Sequence, residues 1–479
     1  MPPTPRSFGP TDGARHPHPL IFHATRGSRT MPNLATADTA ERLATLEQTI
    51  EDLLQEAKRH GASAAEAVVS NTTGLEIAVR LGEVETVEHT RDHGLGISVY
   101  FGHRKGSAST SDLSPDAVRD AVRQACSIAS HTQEDRCADL APAELMATDV
   151  PDLDLSHPWN IPVDEAVALA IACEDAARAA DPRIVNSEGA SFGTTAALSV
   201  YGNSHGFVGG YPSSRHELSC AVVGKDGDSM QRDFWWTTAR APEDLESAES
   251  VGRRAAERTV ARLNARRLGT CEVPVLFRAD VAMGLLRSFA GAISGGNLYR
   301  RTSFLLDKLG EQIFPDFVRI YEQPHRLRGL GSAPFDGDGV ATAAKDLVTD
   351  GVLQSWLLDH YSACRMGLTT TGNAGGARNL SIGLGGDDRD AMLRRLDRGL
   401  LVTSLMGQGV KMITGDYSRG AAGFWVENGE IQYPVEEITI AGNLADMFRG
   451  LVAVGNDYDF ASSMTTGSWL IERMTVAGE

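Results

Sequence analysis

The chain has no run of apolar residues near the roughly 20 that a membrane helix needs, so no helical transmembrane span is expected. Positive charge is also short: 45 Lys and Arg stand against 63 Asp and Glu, a formal net charge of −18 over 479 residues. Binding a nucleic-acid backbone needs clustered cations that displace condensed counterions, so this balance argues against nucleic acid as a partner and against anionic membranes. Cysteine is scarce. Cys126, Cys137, Cys173, Cys220, Cys271 and Cys364 are scattered without a C-x-x-C pair, in a chain long enough to fold without covalent staples. The plain expectation is six reduced thiols in a cytoplasmic protein. Residues 1–30 are rich in Pro, Arg and His, hold one acid, Asp12, and lack the continuous apolar region of a secretory signal. Residues 1–38 read as a disordered leader or an over-extended start, with Met31 as an alternative first residue.

What is present indicates two or three domains. From Ala40 to His60 an apolar stripe of Leu43, Leu46, Ile50, Leu53, Leu54 and Ala57 predicts a helix, with Thr39 as N-cap and Gly61 as its stop. Strand-like runs follow at Ala65–Ser70, Leu75–Leu81 and Leu95–Phe101, and Ser114-Pro115-Asp116 opens a helix to about Ala129. Proline-punctuated residues 138–162 mark a boundary. Beyond it come a helix over Asp164–Ala180, strands at Ala196–Tyr201 and His216–Val223, and a long polar helix from Pro242 to about Asn264. A strand at Val273–Phe277 and a helix over Asp280–Ile293 then lead into glycine-rich, strand-dominated sequence. The fold class is α+β: an α+β N-terminal region in two parts, 39–145 and 146–268, followed by a β-rich C-terminal domain, 269–479.

Three blocks ask for more than a core. Gly415-Asp416-Tyr417-Ser418-Arg419-Gly420 runs into Phe424-Trp425-Val426, the type I′ turn pair Asn428-Gly429, and Ile431-Gln432-Tyr433 before Pro434, which limits the strand to an edge or bulge. The others are Thr370-Thr371-Gly372-Asn373-Ala374-Gly375-Gly376 and Arg104-Lys105-Gly106-Ser107-Ala108-Ser109-Thr110-Ser111-Asp112-Leu113. In content and order the three resemble the PmbA (TldE) branch of the PmbA/TldD family, from about residue 40 to the C-terminus. The resemblance implies a cytoplasmic heterodimeric zinc metalloprotease in which the TldD-like branch carries an H-E-x-x-x-H helix after the first C-terminal strand, plus a cysteine near the C-terminus.

Two histidines one helical turn apart can reach one zinc ion while a glutamate activates the bound water. Here the corresponding run is Arg278-Ala279-Asp280-Val281-Ala282-Met283-Gly284, and Phe460-Ala461-Ser462-Ser463-Met464-Thr465-Thr466-Gly467 stands where the thiol would be. No zinc ligand is assigned to this chain, no residue is assigned as catalytic, and zinc is expected on a TldD-like partner. His89 and His93 have helical spacing but lie among β-like segments, where a solvated loop explains them. His360 and Cys364 offer two ligands rather than the three a zinc site needs. Gly202-Asn203-Ser204-His205-Gly206 fits a nucleophile elbow by letters alone, since Gly209, Gly210 and Pro212 follow instead of a helix. Gly102-His103-Arg104-Lys105-Gly106-Ser107 lacks phosphate-loop spacing and reads as a strand end.

The expected role is a zinc-less subunit that forms a peptide-processing chamber with a TldD-like partner. Family-implied substrates are short peptides or unfolded polypeptides, including antibacterial peptide precursors and antitoxins. Candidate substrate or partner contacts are Gly372, Asn373, Gly375, Gly376, Asp416, Tyr417, Ser418 and Arg419, with flexible or salt-bridged turns as the structural explanation of the same residues. The alternative is a self-associating peptide-binding scaffold without protease activity, a homodimer built on the same glycine-rich surfaces.

Overall fold

The computed structural model describes residues 36–478; the leader expected over 1–38 lies almost wholly outside them. Helix α1 spans Thr36–Arg59, three residues ahead of the expected cap, and stops where Gly61 takes a φ of 86°. The polar stretch Asn71–Gly74, which separates two runs in the sequence, does not break the chain. One strand, β1, spans Ala64–Arg80 because β2 (Glu83–Phe101) pairs with it on one side and β4 (Ile184–Asn203) on the other, satisfying its backbone along the whole length. Strand β3 (Arg104–Thr110) follows a two-residue turn, and helix α2 (Pro115–His131) starts at Ser114, whose hydroxyl accepts from the Ala117 N–H.

Helix α3 (Val163–Ala180), β4, β5 (Val208–Asp226) and β6 (Ser229–Ala239) follow. The helix expected from Pro242 begins only at α4, Ala248–Ala261, since Pro242–Asp244 forms an isolated 3-10 turn and Ser247 caps the helix through Ser250 N–H. Strands from both N-terminal parts build one antiparallel sheet in the order β3-β2-β1-β4-β5-β6. Leu46, Ile50 and Leu53 of α1 and Ala125 of α2 cluster with Ala65, Ala67 and Val69 of β1. Ala166 and Cys173 of α3 and Val251 of α4 cluster with Leu75, Ile77 and Val79. All six β1 residues are odd-numbered, so the four helices cover a single face. The even residues, Glu66 and Val68 among them, point to the other.

In the C-terminal part, β7 (Cys271–Phe277) pairs in parallel with Gly399–Met406, which pairs with Asp416–Glu427, then Glu430–Asn443, then Trp469–Ala477, which returns to β7. The pairings close a five-stranded ring around Val275, Phe277, Val402, Tyr417, Ile440 and Trp469, with helix α5 (Ala279–Ala292) packed against it. The Asn428-Gly429 turn has φ of 55° and 74° at its two residues, as a type I′ turn requires. Pro434 pairs with Phe424 between two bulges and lends its carbonyl to Arg266 N–H, so its missing donor breaks no ladder bond. The fold class is therefore α+β with a β-rich C-terminal domain. No helix among the described residues is long and apolar enough to cross a membrane.

Candidate functional site

A cavity of about 570 Å³ opens where the uncovered sheet face meets the C-terminal part. Its floor is Glu66 and Val68 of β1, Ser98 of β2, Ser107 and Ser109 of β3, and Tyr201 and Tyr211 of β4 and β5. Its opposite wall is the loop Phe335-Asp336-Gly337-Asp338 with Arg378. Phe335 anchors that wall by edge contacts with Phe207 and Tyr211, at 5.2 and 5.6 Å between ring centres.

Charge in the cavity is organised around carboxylates. Glu66 accepts from the Tyr100 hydroxyl at 2.7 Å, the Tyr201 hydroxyl at 3.2 Å and the Lys105 ammonium at 3.0 Å. Burial pushes both phenols well above their ordinary range, and the neighbouring Glu66 charge adds to it. Asp336 is held by N–H groups of Asp338, Val340 and Ala374, yet burial still leaves its carboxyl raised. Asp338 is pushed up to about 6, first by burial, against the opposing His360 N–H, with Asp336, Glu66 and Asp359 adding to the rise. The lining is polar and carries both signs of charge: Glu66, Asp336, Asp338 and Arg378 border a space floored by small hydroxyls and rimmed by aromatic rings.

The sequence blocks are split by the fold. Ser107 and Ser109 of the Arg104–Leu113 block line the cavity, and Arg378 follows just after the Thr370–Gly376 block. Asn373 itself is buried at 4 % exposure, donating to Glu322 at 3.0 Å and accepting from Lys345 at 2.8 Å. Gly372, Gly375 and Gly376 have φ of 70°, 90° and 97°, so this loop needs glycine for its path. The Gly415–Gly420 block stands outside the cavity lining. Tyr417 is buried against Phe277, its phenol pushed up to about 12 by burial against the pull of Arg419. Asp416 accepts from the Thr414 hydroxyl at 2.8 Å, and Ser418 N–H donates to the Gly409 carbonyl at 2.7 Å. Asp416 and Ser418 are exposed, and Arg419 is half-buried. Glu66, Tyr100, Tyr201, Asp336 and Asp338 escaped sequence reasoning; the alternation Asp336-Gly337-Asp338-Gly339 was a signal for the last two, and nothing local marked the other three.

The remaining candidates fall as follows. His89 and His93 lie on β2 rather than in a loop, four strand rises or about 13 Å apart. Ser204 sits in the β4–β5 turn, its hydroxyl accepting from Ala65 N–H at 3.0 Å, and Gly102-His103 form the β2–β3 turn. The expectation of six reduced thiols is corrected: Cys137 and Cys364 form a disulfide across 227 residues, and four cysteines are free. No spacing rule reaches so far along the chain; the fold brings the two Cα atoms to 5.5 Å. Next to it His360 Nε2 lies 2.7 Å from Asp139 Oδ1, and the Tyr361 hydroxyl donates to Asp135 at 2.8 Å. Cys364 is thus engaged with sulfur rather than sharing a ligand role with His360.

At the start of α5, where the resemblance would place a zinc helix, Asp280 accepts from Arg278 at 2.7 Å through both oxygens and from Arg258 at 3.0 Å. Arg258 and Arg262 also reach Asp233, at 3.3 and 3.4 Å. Burial pushes the Asp280 carboxyl up, but the Arg278 and Arg258 guanidinium groups outweigh it and hold it below the usual range. Ala279 and Met283 pack with Phe460 and Met464 beside this network. These residues do not fit a divalent ion, since the one carboxylate at the helix start is saturated by arginines whose charge repels it. Among the described residues no group of three or more His, Cys, Asp or Glu is gathered so as to hold a metal.

Residues 270–478 match the profile of the PmbA/TldA metallopeptidase C-terminal domain, 156–263 that of its central domain and 65–129 that of its domain 1. The chain is 52% identical over 415 residues to Metalloprotease PmbA of Escherichia coli O157:H7, covering 87% of this chain and 92% of that protein. It is 50% identical over 439 residues to the Metalloprotease PmbA homolog of Haemophilus influenzae, covering 90% and 96%. Among solved structures, a putative modulator of DNA gyrase from Bacteroides thetaiotaomicron superposes with a TM-score of 0.86 at 26% identity, over 90% of this chain and 99% of that one. TldE from Thermococcus kodakarensis shares the fold, with a TM-score of 0.78 at 23% identity over 90% of this chain and 100% of that one.

Proposed function

The chain belongs to the PmbA/TldA metallopeptidase family, and from that premise we propose that it is the PmbA/TldE-like subunit of a cytoplasmic TldD/TldE-type zinc metalloprotease. In this reading zinc sits on a TldD-like partner, and this chain supplies part of the chamber in which a peptide or unfolded polypeptide is held. Peptide maturation and antitoxin degradation are the tasks the family suggests. The observation that carries the proposal is the Arg278–Asp280–Arg258 network at the start of α5: it supports the reading because it sets arginine charge at the helix start where the resemblance would put zinc ligands. The cavity supports the same reading. Its carboxylates and hydroxyls suit the amide and ammonium groups of a polypeptide, and contacts to main chain give low sequence preference.

The test is to purify the chain alone and together with an H-E-x-x-x-H-bearing relative from the same genome, then measure metal content and peptide cleavage of each. Cleavage and zinc are expected only with the mixture. Cleavage by the isolated chain at one zinc per subunit would defeat the proposal.

A further inference from the structure

Strand β2 is paired on one side only over most of its length. Its inner edge meets β1 from Glu83 to Tyr100, whereas β3 covers the outer edge only from Leu95 to Phe101. Among the described residues no other segment pairs with the outer edge of 83–94. The two-residue turn Gly102-His103 makes Phe101 and Arg104 a hydrogen-bonded pair. Odd residues of β2 therefore aim N–H and C=O at the outer edge, and beyond Leu95 these are His93, Arg91, His89 and Val87. Every residue from Glu83 to His89 is exposed, including the apolar Val84 at 46 % and Val87 at 44 %.

A long free edge without proline or lysine is a template for another strand, and native proteins cover or blunt such edges. We infer that this edge docks a β-strand of a second, non-identical subunit carrying basic side chains. The inference rests on the two-subunit reading above and assigns its contact surface. Charge selects the occupant: Glu83, Glu85, Glu88 and Asp92 stand against Arg91 alone. A second copy would bring the same acidic excess on a chain of net charge −18, whereas a basic strand neutralises it. The exposed valines add apolar surface beside the ladder, which favours a lasting contact over a passing one.

The experiment mixes this chain with the TldD-like subunit from the same genome and reads mass by light scattering and Kd by sedimentation. The double variant His89→Pro/Arg91→Pro removes outward donors and leaves the bonds to β1 in place. It is expected to weaken the mixed complex at least tenfold with an unchanged circular dichroism spectrum. Glu88→Lys/Asp92→Lys is expected to weaken it and to flatten its salt dependence. Hydrogen exchange on the unmodified proteins guards against a misfolded variant: the amides of Val87, His89, Arg91 and His93 should exchange fast alone and slowly in the mixture. A mixed complex with unchanged Kd in the proline variant, or unchanged exchange at these amides, overturns the surface while leaving the two-subunit reading intact. A homodimer that the proline variant abolishes overturns the choice of a non-identical occupant. Absence of any mixed species from the unmodified chains overturns the two-subunit reading and the inference with it.

Discussion

Asp338 shows how a single buried carboxyl ties the cavity to pH. An unfolded aspartate titrates near 3.8, and in the fold this one is pushed up to about 6. The folded state therefore holds the proton more tightly, so stability falls as pH rises between those values and stays lower above them. The gap sets a ceiling of about 3 kcal/mol at 1.36 kcal/mol per unit, reduced by the solvent that reaches this half-buried group. Asp338→Asn should raise stability by about 1–2 kcal/mol at pH 7.5 and change it little at pH 3.5, as read by urea unfolding. Equal stabilisation at both would show that charge is not the cause. Asp280 is the opposite case: its folded value is lowered, so its contribution is present above the unfolded range and lost as pH falls through the folded value. Asp280→Ala takes from Arg278 its only carboxylate among the described residues and leaves Arg258 with Asp233 alone, both arginines under 20 % exposed, and should cost about 3 kcal/mol. A loss below about 1 kcal/mol would mean that water already solvates both guanidinium groups.

At the scale of the element, the close approach of α2 to β3 explains a glycine that the sequence presents only as part of a strand. A Cβ on Gly106 would meet the Ala125 carbonyl at 2.2 Å and the Ala129 nitrogen at 2.4 Å, both backbone atoms of α2. Gly106→Ala should therefore destabilise by about 1–3 kcal/mol through displacement of the helix, seen as a lower midpoint in thermal unfolding. An unchanged midpoint would show that helix and strand can part without cost. The apolar stripe of α1 and the Ser114 cap were legible from spacing and residue type. The lengths of β1, β4 and β5 were not. Their polar and glycine residues, such as Asn71–Gly74 and Gly193–Thr195, stay extended because neighbouring strands satisfy their backbone, a property that no local window contains.

At the scale of the whole molecule, the Cys137–Cys364 bond ties the loop after α2 to the helix His360–Met366, joining the first and last thirds of the chain. In oxidised protein unfolded in denaturant, four thiols should titrate before reduction and six after. Cys364→Ser should lower the stability of oxidised protein by about 2–4 kcal/mol and have a far smaller effect once both sulfurs are reduced. Six titratable thiols without reductant would show the pair open, as expected where glutathione keeps cytosolic thiols reduced. The candidate cavity also belongs to this scale. Glu66, Ser107, Tyr201, Asp338 and Arg378 come from distant points in the sequence and meet only because the uncovered sheet face lies against the 335–338 loop.

The sequence by itself determined the α+β class, the family resemblance, the turn at Asn428-Gly429, and the want of histidine and glutamate at the start of α5, because these depend on residue types and short spacings. Tertiary structure alone decided that both N-terminal parts share one sheet, that Asn373 is buried beside Glu322, that Cys137 meets Cys364, and that β2 keeps a free edge. Each of these rests on contacts between residues far apart in the chain, whose partners are chosen by how whole surfaces pack rather than by any neighbouring residue.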